Sequence, residues 1–151
     1  MSYYLAELNI ARARGPLDGP IMADFMAALD EINALAEASL GFVWRLKDDE
    51  GNATGIRPFA DDRILVNLSV WQDIDSLHHY TYRSDHAKYF KRKKEWFDAF
   101  EKPHMVLWWV PAGHEPTAQE AKERLTYLHE HGPTAYAFTF IKRFSPNGEA
   151  L

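Results

Sequence analysis

The chain contains no cysteine. That excludes disulfides, thiolate nucleophiles, zinc–cysteine centres and iron–sulfur clusters. It has no surplus of positive charge: 17 Lys and Arg stand against 22 Asp and Glu, a formal net charge of −5. Nucleic acid wants the opposite sign, so no nucleic-acid partner is expected. No apolar run approaches the roughly 20 residues that span a bilayer, so no membrane partner is expected either. The opening Met1-Ser2-Tyr3-Tyr4 sets no basic leader before an apolar core. No signal peptide is read there, and the cytoplasm is the expected compartment. A phosphate-binding glycine loop, a nucleophile elbow and a His-Glu-x-x-His pair are all missing. No metal and no cofactor is called for.

What is present is a chain of 151 residues, 46% hydrophobic and 14% aromatic. That length fits one domain, placed at 1–144 with a flexible tail at 145–151. Alternation over Tyr3 to Ile10 predicts a strand. Gly15, Pro16, Gly19 and Pro20 mark a loop. Met22, Phe25, Met26, Leu29, Ile32, Leu35 and Ala36 share one face of a helix over 21–38. Phe42 to Leu46 reads as a second strand. A polar loop follows over 48–62, with Gly51, Asn52, Gly55 and Pro58. Arg63 to Trp71 is the clearest strand, with Ile64, Val66, Leu68 and Val70 on one apolar face. A short helix is expected over 74–82. Ser84 caps a longer one running to about Phe100. Met105 to Val110 is the next strand. Thr117 and Glu120 have capping-box spacing at the head of a helix that Gly132-Pro133 stops. Ala135 to Ile141 reads as a last strand.

The order is strand, helix, strand, strand, helix, strand, then an added helix and strand. It predicts an α+β, ferredoxin-like split βαβ fold, with an antiparallel sheet, helices on one face and a C-terminal extension. The strands are apolar on both sides, so the other sheet face needs a cover. Two sheets packed face to face supply one, which makes a homodimer the expected assembly.

The functional signal lies between Val70 and Trp109. From His86, residues Tyr89, Phe90, Lys93, Trp96, Phe97 and Phe100 recur at helical spacing. His86 is therefore expected to face the sheet in the first turn of a helix. Burial and the helix dipole both disfavour its charged form. A neutral imidazole can take a proton, polarise a carbonyl, or bind a metal or haem iron. The plainer reading is a core histidine bonded to a carbonyl or a tyrosine. Trp44, Trp71, Tyr82, Tyr89, Trp96 and Trp109 are too bulky to fill one another's space easily, which favours a pocket lined by rings. Asn67 and Ser69 share a strand face with Trp71 and can bond a ligand, or each other. His114, in the loop 111–116, is the second catalytic candidate, expected buried at the pocket rim. The basic run from Lys88 to Lys94 reads as a solvated helix face. His129 and His131 suit a helix C-terminus.

Ser69-Val70-Trp71, Tyr82-Arg83-Ser84-Asp85-His86, Glu95-Trp96-Phe97 and the long Leu107-Trp108-Trp109-Val110-Pro111-Ala112-Gly113-His114-Glu115-Pro116-Thr117 together resemble a bacterial family. It is the domain of unknown function numbered 3291, in the dimeric α/β-barrel superfamily. The resemblance continues through Arg124-Leu125, His131-Gly132-Pro133-Thr134 and Ala137-Phe138-Thr139-Phe140. It implies paired ferredoxin-like protomers with facing sheets. Members of the superfamily include cofactor-free monooxygenases of antibiotic biosynthesis, haem-dependent enzymes, lactone isomerases and small-molecule binders, and the fold does not choose among them. Trp71, Tyr82, His86, Trp96, Trp109 and His114 match the family pattern without an assigned role.

Three functions compete. One is an enzyme acting on an aromatic or polyketide-like substrate by cofactor-independent oxygenation, isomerisation or cyclisation. His86 would be its base, and Asn67 or a tyrosine would hold an oxyanion. The second is a binding protein for a hydrophobic metabolite. The third is non-covalent haem binding through His86 or His114.

Overall fold

A computed structural model describes residues 2–48, 51, 54, 56 and 58–151. In chain order the elements are β1 (Tyr3–Ala13), α1 (Ala23–Glu37), β2 (Phe42–Arg45), β3 (Ile64–Trp71) and α2 (Ile74–Arg83). Then come α3 (His86–Phe90), α4 (Lys93–Trp96), β4 (Phe97–Asp98), β5 (Met105–Pro111) and α5 (Ala118–His131). Every pairing is antiparallel. β1 is central, with β3 along one edge and β5 along the other. β2 flanks β3, and the short β4 joins β1 at Arg12 and Ala13. This is the ferredoxin-like order, as the sequence predicts. Asn52 and Gly55 of the expected polar loop lie outside the described residues.

Alternation along the strands divides the interior in two. One sheet face carries Ala6, Leu8, Ile10, Val66, Leu68, Val70, Val106, Trp108 and Val110, packed under Ala121, Leu125 and Leu128 of α5. Leu46, Ile56, Phe59 and Phe100 close its margins. Within one chain α5 already lies over this face, where the sequence left a cover to be supplied by a second copy. Leu8 and Leu68 are already buried within one chain, because the C-terminal helix folds back over the sheet. The other face holds Leu5, Trp71 and Leu107 against Ile74, Leu77, Ala36 and Phe138. Further along, Ala13 packs with Met22 and Trp96.

Local signals set most of the boundaries. Asp73 caps α2 by accepting from the Ser76 amide at 2.7 Å. Thr117 caps α5 by accepting from the Glu120 amide at 3.0 Å. Gly132, at φ 73°, ends α5 with its N–H on the Leu128 carbonyl at 2.9 Å.

Two expected elements differ. The helix over 84–100 is two short helices followed by a strand. Arg12 and Ala13 at the end of β1 recruit Asp98 and Phe97 as strand partners. The Arg14 amide takes the Trp96 carbonyl at 2.8 Å. A continuous helix would forfeit those bonds and withdraw the Trp96 indole from its pocket. The strand over 135–141 reduces to a single bridge to the sheet, Leu107 to Phe138. A turn between Thr134 and Ala137 precedes it and another from Thr139 to Lys142 follows, so only Phe138 reaches β5. The terminal residues, expected as a flexible tail, turn back on themselves. Ser145 donates to the Glu149 carbonyl at 2.8 Å and Leu151 to the Arg143 carbonyl at 2.9 Å.

Gly41 joins α1 to β2 at φ +84°, and a Cβ there would sit 2.2 Å from Ser76 Oγ. Gly113 has φ +94° with nothing within 4 Å of a Cβ. Both substitutions to Ala incur the left-handed backbone cost, but only Gly41→Ala also displaces the first turn of α2. Urea unfolding is expected to show a loss of at least about 2 kcal/mol for Gly41→Ala, and about 1 kcal/mol for Gly113→Ala. Equal losses would mean that contact with Ser76 is not limiting.

Candidate functional site

The face of the sheet beneath α1 and α2 is not uniformly apolar. The register pairs Glu7 with Ser69 and Asn9 with Asn67. These four polar residues therefore form a strip across β1 and β3, on the same face as Leu5 and Trp71. The strip is wired together. The Trp71 indole N–H donates to Ser69 Oγ at 2.9 Å, and the Ser69 hydroxyl donates to Glu7 Oε2 at 2.9 Å. The Asn9 amide donates to Glu7 Oε1. Glu7 is 3% exposed. Burial pushes its carboxyl up to about 7, against the opposing pull of the Asn9 and Ser69 bonds. No lysine or arginine pairs with it among the described residues.

Two aromatic clusters stand on either side of the strip. One gathers Phe42, Tyr80 and Trp109 around Trp71 and Leu107. The other gathers Phe25, Met26, Tyr89 and Phe97 around Trp96 and Met22. Between them the floor is open. Asn9, Ala11 and Met105 are half-buried, and Asn67 is exposed, its amide without a hydrogen bond to any described residue. The outcome is a polar, partly exposed stretch of sheet face with apolar clusters at both ends, called the slot below.

Tyr80 and His86 lie above the Trp71 end. The Tyr80 ring is 5.1 Å from Trp71 and 4.7 Å from His86. Burial raises the Tyr80 hydroxyl above its ordinary value, with the Glu7 charge adding to the shift. His86 is half-buried, and its Nδ1 lies 3.1 Å from the Thr81 carbonyl. A carbonyl only accepts, so Nδ1 carries the proton and Nε2 keeps its lone pair. Burial lowers the His86 pKa from 6.5, which outweighs the Thr81 bond and leaves the ring neutral at pH 7. Burial is the leading cause, as expected, and α3, which opens at His86, is five residues long.

The other expected site residues scatter. Trp109 shares the cluster of Trp71, with its indole N–H on the Phe144 carbonyl at 2.8 Å. Tyr89 and Trp96 belong to the second cluster, where Trp96 is buried. Tyr82 is exposed, against His78, Phe90 and Phe140. Trp44 packs on the opposite sheet face. His114 is exposed rather than buried, because its loop stands off the end of β5. Its Nε2 meets Glu120 Oε1 at 2.7 Å, and Trp108 donates to the other oxygen of Glu120 at 3.0 Å. That cluster belongs to the α5 side, away from the slot. The basic run does not simply face water: Lys88 reaches Glu31 and Arg92 reaches Asp24, both on α1. Glu7, Asn9 and Tyr80 are the residues that sequence reasoning misses. The available signal is an acid and an amide at inward positions of an otherwise apolar strand, Leu5-Ala6-Glu7-Leu8-Asn9-Ile10.

Residues 4–151 match the family described as a domain of unknown function, DUF3291. No curated protein matches the sequence. Among solved structures, a protein of unknown function from Nitrosomonas europaea is 14% identical with a TM-score of 0.51, over 77% of this chain and 97% of that one. A Pseudomonas aeruginosa protein is 16% identical with a TM-score of 0.47, over 73% and 94%. A variant of SnoaB, a cofactor-independent oxygenase from Streptomyces nogalater, is 14% identical with a TM-score of 0.46, over 74% and 95%. Among the described residues, no helix is long and apolar enough to cross a membrane, and no cluster of His, Asp and Glu is arranged to hold a metal.

The Glu7 carboxyl sets a pH dependence with a definite sign. Its folded pKa of about 7 lies above the ordinary 4.5, so the folded chain holds this proton more tightly than the unfolded one. Its contribution to stability is full below pH 4.5, declines as pH rises towards 7, and is level above. Glu7→Gln removes that decline. Between pH 4 and pH 8 the variant is expected to gain about 3 kcal/mol relative to wild type, read by urea unfolding at each pH. Parallel profiles would mean that Glu7 titrates as an ordinary surface acid.

Proposed function

We propose that this chain, which belongs to the DUF3291 family, binds a flat, largely apolar organic molecule in the slot and moves a proton there without a cofactor. The observation that carries this reading is the open Asn67 amide on a polar floor between two separate clusters of rings. A plain core would continue the apolar packing across that strip, whereas small-molecule sites combine apolar walls with a few convergent polar groups. The walls offer Tyr80 and Trp109 at one end and Tyr89 at the other. The Asn67 N–H can donate to an oxygen that becomes negative in the reaction. The His86 Nε2 lone pair is free to accept a proton, and the Glu7 carboxyl is the group that titrates near neutrality. Isomerisation or cyclisation needs only the clamp and a proton acceptor. Cofactor-independent oxygenation needs, in addition, a substrate that forms its own carbanion.

A second reading is a binding protein that does no chemistry. The observation in its favour is that His86 is already engaged, with Nδ1 on a backbone carbonyl and its ring against Tyr80. Ligand capture is common to both readings, and turnover separates them.

The test is a titration with 1,8-dihydroxyanthraquinone followed by tryptophan fluorescence, with mass spectrometry of the recovered probe. Quenching is expected in wild type. Asn67→Ala is expected to weaken binding about fivefold to tenfold, the value of one hydrogen bond. A changed probe mass, or isomerised product, supports the enzyme, and an unchanged probe supports the carrier. Absence of quenching would remove the slot as a binding site.

A further inference from the structure

The proposed slot leaves open which ligand chemistry its floor selects. Glu7 narrows the choice. A carboxyl this deeply buried with no cation beside it is costly to keep, and an apolar residue or an amide would serve packing better. Its two oxygens are treated differently. Oε2 is anchored by Ser69, whose hydroxyl is fixed in turn by the Trp71 indole, so this side of the carboxyl is locked. Oε1 meets only the Asn9 amide, and Asn9 is half-buried at the edge of the open floor. Asn67 is the cross-strand partner of Asn9. A ligand oxygen seated beside Asn9 therefore lies between a carboxylate acceptor and an amide donor.

Resting on the slot reading above, we propose that Glu7 recognises a hydroxylated ligand, a phenol or an enol, whose O–H replaces Asn9 as the donor to Oε1 while the Asn67 amide donates to the same ligand oxygen. A hydroxyl donates to a carboxylate and accepts from an amide through a single atom, with good acceptor strength and no charge to bury. A ligand carboxylate is disfavoured, since it would place a second negative charge beside a desolvated acid. Full transfer breaks the ligand O–H bond, forms one at Oε1, and leaves the electron pair on the ligand oxygen facing Asn67, so no oxidant enters this step. The raised pKa of Glu7 brings it nearer to a phenol, which titrates at about 10, than an ordinary carboxyl comes. The ionisable groups beside the strip are Tyr80 from α2 and Arg45 of β2, which lies opposite Ser69 and is paired with Glu37, with His86 of α3 beyond Tyr80. Tyr80 stays protonated throughout the neutral range, so Glu7 and His86 are the groups to separate.

The experiment measures the affinity of 2-naphthol and of its ether, 2-methoxynaphthalene, by equilibrium dialysis from pH 5.5 to 8.5. In wild type, 2-naphthol is expected to bind about tenfold more tightly at pH 8 than at pH 6, because ionised Glu7 is the better acceptor. The ether, with no proton to give, is expected to show no such rise. Glu7→Gln is expected to flatten the naphthol profile, while His86→Gln preserves it. A naphthol profile in wild type as flat as that of the ether would overturn the assignment of Glu7 and leave the slot standing. So would a rise that survives Glu7→Gln or disappears with His86→Gln. Failure of both compounds to bind would overturn the slot and the assignment together. Should Glu7→Gln fail to fold, the wild-type comparison of naphthol with ether still decides.

Discussion

The fold hangs on β1 being hydrogen bonded along both edges. Its eleven residues pair with β3 from Leu5 to Arg12, and with β5 and then β4 from Tyr3 to Ala13. β3 also has a strand on each side, but β2 covers it only from Phe42 to Arg45, so β1 is the strand paired along most of its length on both edges. The pleat assigns its side chains alternately: Ala6, Leu8 and Ile10 lie beneath α5, while Leu5, Glu7 and Asn9 lie beneath α1 and α2. A one-residue slip would bring Glu7 and Asn9 under α5, away from the Ser69 hydroxyl that Glu7 now accepts from. The network of Glu7, Ser69 and Trp71 thus also fixes the register of the two central strands.

Much of this architecture is legible in the chain because it is written locally. The apolar alternation of Ile64, Val66, Leu68 and Val70, the Thr117 cap and the Gly132 stop each need only a few neighbouring residues to be recognised, and each appears where expected. The stripe from His86 to Phe100 is different. Its spacing suits one long helix, but the partners of Phe97 and Asp98 are Ala13 and Arg12, more than eighty positions earlier. Tertiary pairing overrides local period there. Glu7 is invisible for a related reason. One acid in a strand signals nothing until the register brings Ser69 opposite it and Asn9 beside it.

The candidate site is legible in part. Asn67, Ser69 and Trp71 lie together because they alternate along one strand, and His86 comes near them through Tyr80. Trp44 and His114 end elsewhere because strand parity and a loop direction, neither visible in composition, carry them to the other side of the sheet. The abundance of aromatic residues hides a partition: the rings form separate clusters, and the chemistry lies in the polar gap between them.

The shortness of β2 has an effect on traffic. β2 pairs with β3 only as far as Arg45 opposite Ser69, with one further bond from the Leu46 amide to the Leu68 carbonyl at 2.9 Å. Among the described residues no strand pairs with β3 beyond that point, and Asn67 stands just past the last pairing. A molecule approaching the exposed Asn67 would therefore come from the flank of β3 rather than from the strand tips.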